Sequence, residues 1–294
     1  MVLKKRHLLY FVVFLLVASV FVLPRFSVRP LKIDFINVGD GDAILIRDPG
    51  GQTALIDTGS KEAGPQLADY LREQRISTMD YLILTHGHPD HIGGVPLLCQ
   101  EFAFGTIYDN GQEISGGPDP ESARLASEYL AHVREGSRYG ILRSGDAVEL
   151  GKTRLEVLWP PGGEFKTSDY NLNSLVIRVS YGSTRILLMA DMQAASEAEL
   201  LAQTPDLRAD ILKVGYHGSR LATGEAFLDR VRPKAAVISA KPRDPEKPHR
   251  DVLRQLAKRD ITVYRTDQDG HVRFALFPNR TWTVETDRNR APDV

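Results

Sequence analysis

The chain has a single cysteine, Cys99, in 294 residues. Neither an intramolecular disulfide nor a thiolate zinc cluster can form, so the fold stands without covalent staples. An excess of charge of one sign is missing too. The 37 Lys and Arg meet 38 Asp and Glu, which excludes a uniformly basic nucleic-acid-binding module. Long apolar runs are missing after the first 25 residues. Before that point Lys4-Lys5-Arg6-His7 precedes the uncharged stretch Leu8 to Leu23, closed by Pro24-Arg25. The stretch falls short of the roughly 20 residues of a typical span, yet it suits a short membrane helix or a long signal-peptide core. Its basic flank faces the cytoplasm by the positive-inside rule, which places everything after Pro24 outside. No convincing small-x-small cleavage site follows, and no cysteine that could carry a lipid. Residues 1–25 are therefore expected to be an uncleaved single-pass anchor in the cell membrane, with a form secreted after signal cleavage as the alternative.

From residue 31 to 285 the pattern is that of one soluble α/β domain, and an apolar share of 42% supplies a sizeable core. Leu31 to Val38 alternates as a half-buried strand does. Gly39-Asp40-Gly41-Asp42 and Asp48-Pro49-Gly50-Gly51 then turn the chain twice, giving a β-meander that ends at Asp57-Thr58-Gly59. Gly64 to Gln74 reads as a helix, and Glu121 to Glu135 as a second, polar one behind a Gly/Pro/Ser-rich loop. Later strands cover 154–159, 175–181, 184–189, 209–214, 235–239 and 261–264, with helices between them from Ala194 onward. Asp269-Gly270 is expected to turn a final hairpin, and Thr286 to Val294 to form a polar tail.

Three of the eight histidines fall within six residues, in Thr85-His86-Gly87-His88-Pro89-Asp90-His91, directly after the apolar run Tyr81 to Leu84. A strand that delivers three imidazoles and a carboxylate from one tight turn suits a metal ion such as zinc or manganese. The spacing of His86 and His88 lets both approach one ion, and Asp90 and His91 come off the following turn. Asp191 ends an apolar strand at a helix start, where a carboxylate serves equally as helix cap or as ligand. His217 has the same setting, strand then glycine then imidazole, and beside the cluster it reads as a ligand.

The His-x-His-x-Asp-His pattern resembles the metallo-β-lactamase superfamily. Asn37-Val38-Gly39-Asp40-Gly41-Asp42-Ala43, Leu55 to Gly59, Asn173-Ser174-Leu175-Val176, Lys213 to Ser219 and Arg265 to Gly270 resemble the extracytoplasmic hydrolase domain of ComEC-type competence proteins. The resemblance covers residues 31 to 278. It implies a four-layer αββα sandwich, here behind one N-terminal hydrophobic helix, with one or two divalent ions on one edge. It further implies that Asp191 bridges the ions and that Asp57 orients the ligand loop by hydrogen bonds. Departures from the family pattern stand at Tyr216, where a histidine is common, at Ala190, where glycine is, and at Lys247, within a stretch that is often Gly-His-Pro-His. No histidine lies between the cluster and Asp191 at the expected place; Asn171 and Asn173 lie there.

Such a site implies hydrolysis by a metal-activated water, with Asp90 holding or deprotonating that water and Asn173, Ser219 or His249 near the substrate. Two divalent ions exceed the charge of Asp90 and Asp191, which favours an anionic substrate. The expected activity is a nuclease or phosphodiesterase acting on DNA, with competence or DNA-uptake machinery as partner. The alternatives are a hydrolase of a lactone, thioester or β-lactam, and a non-catalytic DNA-binding subunit. Ten Lys and Arg residues between 230 and 259 outnumber the acids; they suit either a DNA backbone or an ordinary solvated helix face.

Overall fold

The structure is a computed structural model and describes residues 29–114, 120–135 and 138–288. The alternating N-terminal segment forms an antiparallel meander of β1 (Leu31–Phe35), β2 (Ile44–Arg47) and β3 (Thr53–Ile56). Then β4 (Thr78–Ile83), β5 (Ala103–Asp109) and β6 (Tyr139–Ile141) extend it in parallel. A second sheet opens with β7 (Ala147–Leu150), β8 (Thr153–Trp159), β9 (Val176–Tyr181) and β10 (Thr184–Leu188), each antiparallel to the one before. It continues in parallel through β11 (Ile211–Lys213), β12 (Ala235–Ile238) and β13 (Thr262–Arg265). The chain then returns to the first sheet with β14 (Val272–Leu276) and β15 (Trp282–Thr286), and β14 pairs with β1.

The two-residue period of the strands sorts their side chains into layers. Ile33, Phe35, Ile44, Ile46 and Ile56 face Val157, Ile177, Val179, Ile186 and Val237 between the sheets. Their neighbours Leu45, Leu55 and Leu82 point outward, onto Leu67 and Leu71 of helix Gly64–Glu73 and Leu98 of helix Val95–Glu101. On the far side Leu187, Leu212 and Ala236 meet Leu200, Phe227, Val252 and Leu256 of the helices Ala194–Gln203, Glu225–Val231 and Arg250–Ala257. Helix, sheet, sheet, helix is the expected αββα sandwich.

Three expectations change. Asp269-Gly270 does not turn the last hairpin, because Thr266–Asp269 is a short helix and Asp269 accepts the backbone N–H of Arg265. The hairpin turns instead at Pro278 to Thr281, where Phe277 N–H donates to Thr281 O. The ordered chain also runs past 285: Asp287 accepts from His271 N–H and pairs with Arg273 at 2.8 Å. Finally, the polar helix runs as α-helix over Pro120–Tyr129 and passes into a π-helical turn, Leu130–Glu135, whose Arg134 reaches Asp109 at 3.1 Å. The expected hydrophobic helix at residues 8–23 lies outside the described residues, as do residues 289–294 of the tail. Among the described residues no helix is long and apolar enough to cross a membrane.

Candidate metal centre

The site lies where the loops after β3, β4, β10 and β11 and the turn between β1 and β2 meet, at one edge of both sheets. The loop after β4 carries His86 through His91, with His88 extended at the N-terminus of one helical turn, Pro89–Ile92. The turn between β1 and β2 must be glycine at residue 41. Its φ is +93°, and a Cβ there would stand 1.6 Å from the Asp90 carbonyl oxygen. That close approach seats the ligand loop. Asp57, Ala190, Tyr216 and His217 all hold left-handed backbone torsions at positive φ, a cost tolerated where the surroundings enforce it. Ala190 stands at φ 44°, which explains why glycine suits this position.

Asp90, His91, Asp191 and His217 each bring one ligand atom into a group whose atoms lie within 4.8 Å of one another. His91 Nδ1 lies 2.8 Å from Asp57 Oδ2. A carboxylate there accepts, so Nδ1 carries a hydrogen and Nε2 is the nitrogen left to meet an ion. His217 repeats the device, with Nδ1 3.2 Å from Ser239 O. Both Nε2 atoms then point at Asp191 Oδ1, at 3.5 and 3.2 Å. His91 Nε2, His217 Nε2 and Asp191 Oδ1 are all buried and make no hydrogen bond. Two carboxylates buried this close together need positive charge among them, which protons on the two imidazoles or a divalent ion supplies. The donor set, two imidazoles and two carboxylates, fits a divalent ion.

The fields agree. Burial works against the Asp191 carboxylate, yet His217 and His91 hold it well below the usual range. Asp90, 29% exposed, forms the open side; burial is again outweighed by His91 and His217, so it stays ionised. His86 lies beside this group, its ring centroid 4.1 Å from that of His91, and its Nε2 is 3.0 Å from His88 Nδ1. Burial, reinforced by His91, holds the His86 imidazole neutral.

Asp57 also accepts from Thr85 N–H and Oγ1–H, both at 2.7 Å. Three expected residues are not brought into the cluster. Asn173 Nδ2 donates to Gln112 Oε1 and Thr167 O, which pins two loops together. Ser219 Oγ accepts from Leu221 N–H. His249 caps helix Arg250–Ala257 through Asp251 N–H. The basic stretch is largely engaged with its neighbours: Arg259 with Asp229, Arg254 with Asp251 and Lys241 with Asp40. One pair escaped the reading of the sequence. Asp42 and Lys213 are fully buried beneath the site, their charged atoms 2.8 Å apart, and Asp42 Oδ1 lies 4.0 Å from His217 Nδ1. A lysine inside the apolar run Ile211 to Val214 was the available signal.

The comparisons match this picture. The chain is 31% identical over 270 residues to ComE operon protein 3 of Bacillus subtilis, covering 86% of this chain and 34% of that protein. It is 29% identical over 244 residues to the Competence protein ComA of Neisseria gonorrhoeae, covering 82% of this chain and 31% of that protein. It thus spans about a third of the length of these relatives. The metallo-β-lactamase-fold protein YhfI of Bacillus subtilis shares the fold, with a TM-score of 0.52 at 16% identity over 81% of this chain and 96% of that one. The profile described as the metallo-β-lactamase superfamily matches residues 36–241, and with the sandwich and its edge site in place the chain belongs to that superfamily.

Proposed function

We propose that the protein is a metal-dependent phosphodiesterase that cleaves DNA outside the cytoplasm, with zinc or manganese as its ion. The observation that carries this reading is the convergence of His91 Nε2, His217 Nε2 and Asp191 Oδ1, all buried and without a hydrogen-bond partner, beside the ionised Asp90. Asp90, His91, His217 and Asp191 would hold one ion; His86 and His88 offer an adjoining place that shares Asp191. A bound divalent ion lowers the pKa of its water toward neutrality and offsets charge on a phosphoryl group. Asp90, at the open side, positions the attacking water and accepts its proton. Asp57 and the Ser239 carbonyl keep His91 and His217 in the tautomer that turns Nε2 inward. The names of the relatives, a competence protein and a ComE operon protein, support DNA as the polymer and uptake machinery as the partner. The run Leu8 to Leu23 behind its basic flank supports an anchored, extracytoplasmic domain.

The test offers single-stranded DNA, double-stranded DNA and a generic phosphodiester to wild type and Asp90→Ala, with manganese or zinc, while metal content is measured. Cleavage that needs metal and falls by about a thousand-fold in the variant is expected. Stoichiometric metal with no phosphodiester cleaved by the wild type sinks the reading.

Loading also carries a pH signature. In the metal-free protein burial opposes the His217 imidazolium, but Asp191, Asp90 and Asp42 outweigh it and push the group from its ordinary 6.5 up to about 9. A raised pKa contributes stability that is fully present below the unfolded value and is lost as pH rises through the folded one. An ion must displace that proton, so metal affinity climbs with pH between these values and loading near neutrality releases protons. Calorimetry in two buffers of different ionisation enthalpy reads the release; identical heats in both contradict it.

A further inference from the structure

Two side chains at the mouth of the site are unused by metal binding. Tyr216 precedes His217 and holds φ 47° and ψ 44°, torsions an aromatic residue adopts only when its surroundings enforce them. Its N–H donates to the carbonyl of Ala190, the residue before Asp191, at 3.0 Å. That bond keeps the half-buried ring beside the cluster, its centroid 6.5 Å from that of His217. The phenol lies in the fields of Asp191, Asp169 and Asp90. Tyr170, next along, packs edge-on against His88, with ring centroids 5.3 Å apart. The mouth is thus walled by these two tyrosines.

The Lys247 ammonium stands over the Tyr216 ring, 4.0 Å from its centroid, within cation–π range. It arrives there because its loop is fastened to the His217 loop. His249 N–H donates to Gly218 O at 2.9 Å, and Gly218 packs so tightly that a Cβ would stand 2.8 Å from Pro248 Cβ. Among the described residues no carboxylate forms an ion pair with Lys247, unlike Lys241, which meets Asp40 at 3.4 Å. A π face orients an ammonium without neutralising it, so its full charge stays available to an anion. Both positions depart from the family pattern, and the structure puts them in contact.

We propose that Lys247, seated on Tyr216, binds a non-bridging oxygen of the substrate phosphodiester at the mouth of the metal centre, with Tyr216 as its positioning residue. The assignment rests on the phosphodiesterase reading above. The experiment titrates inorganic phosphate into the metal-loaded full chain by calorimetry and follows hydrolysis of bis(p-nitrophenyl) phosphate. Wild type is compared with Lys247→Ala, Lys247→Arg, Tyr216→Ala, Tyr216→Phe and the Lys247→Ala/Tyr216→Ala double variant.

Lys247→Ala and Tyr216→Ala are expected to weaken phosphate binding about ten-fold and to raise KM by the same factor, with kcat and metal content kept. Lys247→Arg and Tyr216→Phe, which keep the charge and the ring, stay within about three-fold of wild type. The double variant behaves as either single one, because both remove the same contact. Unchanged phosphate affinity in Lys247→Ala overturns the assignment, and so do effects of the two alanines that add. If Tyr216→Ala does not fold, Lys247→Ala and its arginine rescue decide alone. A wild type that binds no phosphate and cleaves no phosphodiester removes the parent reading together with this one. Wild-type cleavage beside an unaffected Lys247→Ala removes this one only.

Discussion

Asp42→Ala is expected to cost about 3–5 kcal/mol of stability, the range for removing one partner of a buried ion pair. Lys213 is wholly inaccessible to solvent, and its ammonium has Asp42 Oδ2 at 2.8 Å and the Val214 carbonyl at 3.0 Å as partners. Without Asp42 the lysine stands in a dry site with a single carbonyl as partner. Arginine pairs at the surface, such as Arg154 with Glu149, are solvated on both sides and contribute little by comparison. The double variant Asp42→Ala/Lys213→Met removes both charges and fills the space with apolar atoms, so most of the loss is expected to return. Urea unfolding of the three proteins measures this. A single variant within 1 kcal/mol of wild type, on the roughly 1 kcal/mol scale of an ordinary hydrogen bond, would show that the pair is not what holds this edge.

Asp191→Ala is expected to have the largest effect on chemistry. Its Oδ1 faces both inward imidazoles, and the carboxylate is buried and ionised. Removing it leaves two lone pairs and Asp90 to hold an ion, and takes away a charge that either ion position would share. At least one equivalent of metal is expected to be lost, with activity falling about a thousand-fold or more. Asp191→Asn keeps the shape and one oxygen but loses the charge, so it separates geometry from electrostatics. Metal analysis after gel filtration, paired with a phosphodiester assay, checks both. Full metal occupancy in Asp191→Ala would place the ion elsewhere.

The candidate loop was legible from sequence because His86, His88, Asp90 and His91 are local, so spacing alone exposes them; of these, Asp90 and His91 enter the converging group. The meander was legible for the same reason, since alternation and Gly/Asp turns are short-range signals. Asp191 and His217 were legible only as strand-end residues, a position that helix caps share; His249 shows the ambiguity, since it does cap a helix. Asn173 shows the same ambiguity, since an asparagine near the site is as useful for pinning loops as for chemistry. The Asp42–Lys213 pair joins two turns far apart in the chain, and no local period reports a contact between sheets. At the last hairpin two turn signals competed. Asp269-Gly270 lost because Asp269 is engaged with Arg265, which closes a helical turn.

The pairing of β1 with β14 has a consequence for the order of assembly. Leu31 lies opposite Leu276 and Phe35 opposite Val272, so the first strand of the domain stays one neighbour short until nearly the last is made. A domain emerging from the ribosome N-terminus first exposes the Ile33 and Phe35 edge for most of its own synthesis. Such distant pairing is slow to close. The histidine loop is made early, but its partners at 191 and 217 come much later. An ion held by residues from both halves would therefore be captured late in the making of the domain, and an unfinished domain carries an open strand edge with half of the candidate site beside it.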